Sequence, residues 1–256
     1  MSWFSSIKDK TRNFREKTEH SEKMGYRLLR PFYASLHFCF SFLFNSTYRS
    51  KTLDYLKYRK HYHQVPNFTK MNRYPDLFTI CQQYFKDKEN VKILSFGCST
   101  GEEVYSIHEY MPETTIVGVD ISEYNLKECN KKEKKPNISF IHSLSEAYQQ
   151  SKKFDAIFCL AVLQHNDNFT KNIQIATKYT FRQFEEQIIA LDEKLNSGGL
   201  LFIDQTDFNF LETKFRHQYF PLNVPGNRKT NSRPLYNSKN IRISPDNSCF
   251  RVFLKK

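Results

Sequence analysis

From residue 91 the chain alternates between two rhythms. Short apolar runs, Lys92–Phe96, Thr115–Val119, Ile138–Ile141, Phe154–Leu160 and Leu200–Asp204, are separated by stretches patterned for helices. Runs this short and this continuously apolar suit strands buried on both faces, and their alternation with helices predicts a parallel sheet covered on both sides. Before the fifth run, Phe181, Phe184, Ile188, Leu191 and Leu195 form one helical stripe, which Gly198-Gly199 stops. Near the end, Asn240–Ser244 and Cys249–Leu254 flank Pro245-Asp246-Asn247, the pattern of an antiparallel hairpin. The expected fold class is α/β and Rossmann-like: a mostly parallel seven-stranded sheet ending in an antiparallel hairpin, with an N-terminal helical extension.

Ahead of that sheet, residues 1–25 are charged and broken in pattern, reading as a loose arm or an exposed helix. Residues 26–66 read as helical up to Pro66. Within them Pro31–Phe44 is apolar and aromatic, with Arg27 and Arg30 before it and Arg49 and Lys51 after. The run is shorter than the ~20 residues a spanning helix needs. It predicts a core helix of an N-terminal cap, the alternative being peripheral membrane contact through an aromatic face with basic flanks. After Tyr74-Pro75, the spacing of Leu77, Phe78, Ile80, Cys81, Tyr84 and Phe85 predicts an amphipathic helix. The organisation expected is a basic helical extension over 1–66 and an α/β domain over 67–256. In that domain the Pro- and Gly-punctuated segment 205–239 is expected to form a lid over the binding site.

Charge follows these divisions. The net +12 comes from 17 Lys/Arg against 8 Asp/Glu over residues 1–90, 12 against 16 over 91–204, and 10 against 3 over 205–256. Basic ends around an acidic middle suit either a solvated surface or an acidic partner; nucleic acid is possible, though no RNA-recognition motif or Arg-rich tract accompanies the charge. With 39% hydrophobic and 16% aromatic residues, wholesale disorder is excluded. The six cysteines include no C-x-x-C pair, which excludes an ordinary zinc site, and with no secretory leader evident a reduced, cytoplasmic compartment is expected.

The chemistry concentrates after the first strand, in Ile93-Leu94-Ser95-Phe96-Gly97-Cys98-Ser99-Thr100-Gly101-Glu102-Glu103. A strand-to-helix turn of small residues lets backbone approach a ligand closely, and Gly97 and Gly101 can adopt positive φ there. The spacing of the glycines, with no Lys-Ser/Thr pair after them, excludes a P-loop. Asp120 ends the second strand, where an acid accepts hydrogen bonds from ribose hydroxyls; it could instead cap the next helix. A dinucleotide site therefore remains open on these residues alone.

The run Gly97-Cys98-Ser99-Thr100-Gly101-Glu102-Glu103 with Tyr105-Ser106 resembles the cofactor loop of chemotaxis receptor methyltransferases, class I enzymes that use S-adenosylmethionine. Asn67, Thr69 and Arg73 are similar in spacing to cofactor-contacting residues of that family, and Leu195–Phe202 resembles its penultimate strand entry. The resemblance covers 67–204 in patches. It implies S-adenosylmethionine as cofactor, touched by Asn67, Thr69, Arg73, Gly97, Cys98, Ser99, Gly101, Glu102, Glu103, Asp120, Ile121, Ser143 and Leu160. Many class I enzymes carry an acid two residues before the first glycine; Ser95 stands there, so the resemblance assigns Glu102 or Glu103 to the cofactor's amino group and Arg73 to its carboxylate. Ser143, after the third strand, is placed at the adenine.

Residues after the fourth strand face the transferred group in this class, and His165 is the candidate general base. The Arg-Asn pair of the chemotaxis enzymes is replaced by Leu160-Ala161, and no docking subdomain is evident, which speaks against receptor glutamates as acceptors. No Asn/Asp-Pro-Pro-Tyr motif of base N-methylases occurs. The expected activity is methyl transfer to an oxygen nucleophile on a small molecule, sugar or lipid. The alternatives are methylation of RNA or protein, and a catalytically inactive cofactor-binding interaction module.

Overall fold

The computed structural model describes residues 24–63, 68–169, 174–230, 233–243 and 248–256. The chain divides between Lys57 and Tyr58 into two compact units. The first contains helix α1 (Met24–Phe44) and all but the last residue of α2 (Ser46–Tyr58). The expectation of a core helix over 31–44 is overturned: Phe32, Leu36, Leu43 and Phe44 are all exposed.

In the second unit, seven strands form one sheet: β1 (Lys92–Phe96), β2 (Thr115–Asp120), β3 (Ile138–His142), β4 (Phe154–Leu160), β5 (Leu195–Asp204), β6 (Tyr219–Pro221) and β9 (Val252–Lys255). Their order is β3-β2-β1-β4-β5-β9-β6, with β1 to β5 parallel and β9 antiparallel to both β5 and β6. A separate ribbon pairs β7 (Arg228–Thr230) with β8 (Ser248–Phe250). This is the Rossmann-like, mostly parallel seven-stranded sheet that the sequence predicts.

Strict alternation along the strands divides the core in two. Ile93, Ala156, Phe158, Leu200 and Phe202 face α3 (Pro75–Tyr84), α4 (Glu102–Tyr110) and α5 (Glu123–Cys129), with Phe158 stacked on Phe202 at 4.2 Å. Leu94, Ile157, Cys159, Leu201 and Ile203 face α6 (Glu146–Gln149) and α7 (Phe181–Glu193), where Phe184, Ile188 and Leu191 are fully buried.

Three expectations are corrected by long-range pairing. Leu195 belongs to β5 rather than to the helical stripe, because it pairs with Phe154 ahead of a register shift in the β4–β5 ladder. Among the described residues, the segments 240–243 and 249–254 share no ladder. Among the described residues Ile241 bridges to Ile175 and Arg242 to Tyr236, and β9 takes its outer partner from residues 219–221. The segment 205–239, expected as a lid, supplies β6 and buries Phe208, Phe210, Phe215, Tyr219 and Tyr236 in the core under α7, so most of it is built into the domain.

Candidate active site

The chain runs outward from β1 through β2 to β3, then returns to place β4 on the other side of β1. Parallel sheets bind ligands at the carboxyl ends of strands where the winding direction reverses. A cavity of about 470 Å³ opens there, within the usual range for small-molecule sites.

Its floor is the loop between β1 and α4. Gly97 (φ +77°) and Gly101 (φ +94°) both use the left-handed conformation glycine tolerates cheaply, and Gly101 is the N-cap of α4. A Cβ on Gly97 would collide with Val162 Cγ2. The loop is held against β2 by two hydrogen bonds to Val119 O, from Gly97 N (2.7 Å) and Cys98 N (3.0 Å).

Asp120 braces the same loop. Its Oδ2 accepts from Ser99 N at 2.8 Å, and its Oδ1 accepts from Ser122 N at 2.8 Å and from Asn125 Nδ2 at 3.1 Å. The cap of α5 is Ser122, whose hydroxyl accepts from Asn125 N, so Asp120 is not the capping residue. It lines the cavity while ordering both walls around it.

Ser95 is fully buried, and its hydroxyl donates to Glu103 Oε1 at 2.7 Å. Glu103 thus reaches back from α4 to the place where an acid in β1 would lie. Burial pushes its carboxyl up to about 7, against the opposing effects of the Ser95 hydrogen bond and the Arg73 charge. Glu102 points elsewhere, accepting from Thr100 Oγ1 at 2.7 Å and pairing with Lys132 at 2.8 Å. Those partners hold its carboxyl below the usual range in spite of partial burial.

Arg73 lies between the rings of Phe68 and Tyr74, 5.1 Å from each centroid, with Nη1 donating to Phe68 O at 2.9 Å. The site therefore presents a cation and a carboxylate to the same cavity, a suitable pair for an amino acid zwitterion. Buried hydroxyls on Ser99, Tyr74 and Tyr148 line the cavity with no hydrogen-bond partner among the described residues. Orphaned groups of this kind are costly unless a ligand or water completes them.

Of the residues expected to touch the cofactor, Thr69, Arg73, Gly97, Cys98, Ser99, Glu103, Asp120, Ile121, Ser143 and Leu160 line this one cavity. Gly101 and Glu102 do not, the first shaping the turn and the second bonded away from it. Asn67 lies outside the described residues. His165 also fails to line the cavity: its N–H donates to Asp207 Oδ2 (2.9 Å) and its carbonyl accepts from Arg233 Nη2 (2.8 Å), so its backbone is built into a buried ion pair. That placement argues against its expected role as a base.

Sequence reasoning missed the far wall of the cavity, made by Lys60–His63 and by Gln183, Glu186 and Gln187 of α7. His63 Nε2 lies 3.1 Å from Gln187 Oε1, and burial lowers the imidazole pKa. With Nε2–H donating to Gln187, Nδ1 is left as a neutral acceptor. No periodic or motif signal marks His63, which follows a helix end in a polar stretch.

The family model described as "Methyltransferase domain" matches residues 93–179, from β1 through the segment before α7. Over those residues the chain is similar to a methyltransferase domain, and the group such a domain implies is S-adenosylmethionine. The zwitterion pair, the acid after β2 and the orphaned hydroxyls fit that cofactor. A curated relative, malonyl-[acyl-carrier protein] O-methyltransferase 2 of Ilyobacter polytropus, is 31% identical over 156 residues, covering 50% of this chain and 60% of its own. The plantazolicin methyltransferase BpumL aligns at a TM-score of 0.38 and 20% identity, over 64% of this chain and 54% of that one. CalS10 of Micromonospora echinaspora, an amino pentose methyltransferase, aligns at 0.39 and 17%, over 59% and 55%. The chain thus spans somewhat over half the length of these relatives. No helix among the described residues is long and apolar enough to cross a membrane.

Proposed function

We propose that this chain transfers the methyl group of S-adenosylmethionine to an oxygen nucleophile on a small acceptor bound in the same cavity. The observation that carries the reading is the continuity of that cavity. One wall holds the cofactor-loop residues and the other is hydrogen-bonding and polar, from His63 to Gln187. The bound cofactor supplies an activated methyl group on a sulfonium cation, so the residues around it need only align the acceptor and take its proton.

In this reading Arg73 pairs with the cofactor carboxylate and Glu103 with its amino group. Asp120 accepts from the ribose hydroxyls, Ser143 meets the adenine, and Gly97 permits close backbone approach. Thr69 and Arg73, with the loop, are the positions on which the sequence resemblance to chemotaxis receptor methyltransferases rests. Leu160-Ala161 removes that family's acceptor-side pair, so the likeness stops at the cofactor. His63 replaces His165 as the candidate proton acceptor, since it lines the cavity and presents a neutral ring nitrogen. The Ilyobacter relative is an O-methyltransferase, which adds weight to oxygen. A reducing, cytoplasmic setting accords with six free cysteines, Cys39 exposed among them.

The test is incubation of the full chain with S-adenosylmethionine and panels of small hydroxyl, carboxyl and amino compounds, scored by mass spectrometry for a product heavier by one methylene. Methylation at oxygen supports the reading. Products formed only on amines or on macromolecules overturn the acceptor assignment.

A further inference from the structure

Most of the described side chains of helix α1 between residues 31 and 44 are exposed. Phe32, Leu36 and Leu43 are 61, 51 and 65% exposed. Their spacing of four and seven residues aligns them on one face, and exposed Cys39 falls between Leu36 and Leu43 on the same line. Apolar stripes of this kind on soluble proteins mark a surface that something covers.

The charge pattern indicates what covers it. From Met24 to Leu53 the chain has no Asp or Glu, but it has Arg27, Arg30, Arg49 and Lys51. Arg49 Nη1 donates to the carbonyls of Phe42 (3.1 Å) and Leu43 (3.0 Å), fixing a cation at the end of the apolar stripe. A second copy of this chain would set this one-signed run against itself. An anionic lipid surface would neutralise it while taking up the aromatic and aliphatic side chains. Pro31 and the interspersed polar residues suit a helix lying in the interface rather than crossing it.

We propose that α1 lies in the plane of an anionic phospholipid membrane, with Phe32, Leu36 and Leu43 inserted between acyl chains and Arg49, at the end of the stripe, at the headgroup phosphates. The association is peripheral and salt-sensitive. It does not depend on the methyl-transfer reading, because no residue of α1 lines the cavity.

The full chain is sedimented with vesicles of phosphatidylcholine alone and of phosphatidylcholine mixed with phosphatidylglycerol, at low and high salt. The expected result is at least about tenfold stronger partition to the anionic vesicles at low salt, falling as salt rises. The triple substitution Phe32→Ser, Leu36→Ser, Leu43→Ser should reduce that partition by about tenfold or more while leaving S-adenosylmethionine affinity unchanged. Equal or absent partition of the wild-type chain to the two vesicles overturns the proposal, whatever the variant does. So does a concentration-dependent dimer in the absence of lipid that the triple substitution abolishes, which would assign the stripe to a second copy.

Discussion

Glu103, the second residue of α4, accepts a hydrogen bond from Ser95 of β1 at 2.7 Å. A carboxylate is thereby delivered from the helix to the position where the strand itself has only a hydroxyl. The substitution is chemically conservative, since the charge reaches the same part of the cavity. Its consequence is pH dependence, because a carboxyl reached across the core is buried.

Burial raises the Glu103 carboxyl to about 7, well above its ordinary value. In the empty protein the group is therefore held protonated below that pH, and its ionisation costs folding free energy as pH rises from the ordinary carboxylate range through about 7. On the proposed assignment, a cofactor ammonium binds the ionised form. S-adenosylmethionine affinity should then rise with pH below about 7, approaching tenfold per unit, and level off above it. Titration calorimetry across this range checks the slope, and Glu103→Gln should flatten it.

Gly97→Ala should all but abolish cofactor binding. The added methyl meets Val162 Cγ2, and φ +77° is a conformation costing an L-residue about 1–2 kcal/mol. Either Val162 or the loop must shift, and a shift of the loop strains its bonds to Val119 O. A lowered thermal midpoint with more than about tenfold weaker binding is expected; unchanged binding would remove the loop from the site.

On the proposed assignment, Asp120→Ala removes a ligand contact together with a brace that the structure shows. Loss of charged hydrogen bonds to the cofactor should weaken binding by about 1–3 kcal/mol. The freed Ser99 and Ser122 N–H groups should also lower the thermal midpoint. Asp120→Asn keeps one acceptor oxygen, and its thermal midpoint should recover more than its cofactor affinity does.

His63→Ala should slow turnover by about 10²-fold or more at unchanged cofactor affinity, the usual scale for losing a positioned proton acceptor. His165→Ala, whose backbone carries the contacts to Asp207 and Arg233, should retain most activity. The reverse ranking, measured as single-turnover rates with any accepted substrate, would restore His165.

Local pattern explains which parts were legible beforehand. β1 and β4 match their predicted spans because each is a short, mostly apolar run buried on both faces, and the glycine loop was legible because backbone geometry restricts residue choice there. What could not be read was decided by distant partners. The outer neighbour of β9 comes from 219–221, a three-residue strand with no alternation to reveal it. The aromatics of 205–239 show no period because they enter the core singly, from two short 3-10 turns, a three-residue strand and the loops between them. Glu102 and Glu103 are adjacent and alike in sequence; only the helix phase turns one into the cavity and the other toward Lys132. His165 drew notice by following the fourth strand, whereas His63 reaches the cavity from the polar stretch after α2.

The most direct test is calorimetric titration of the folded full-length chain with S-adenosylmethionine and, in parallel, with NAD. The account predicts saturable one-to-one binding of S-adenosylmethionine, weakened by Asp120→Ala, and none of NAD. Binding of NAD alone, or of neither by demonstrably folded protein, would contradict it.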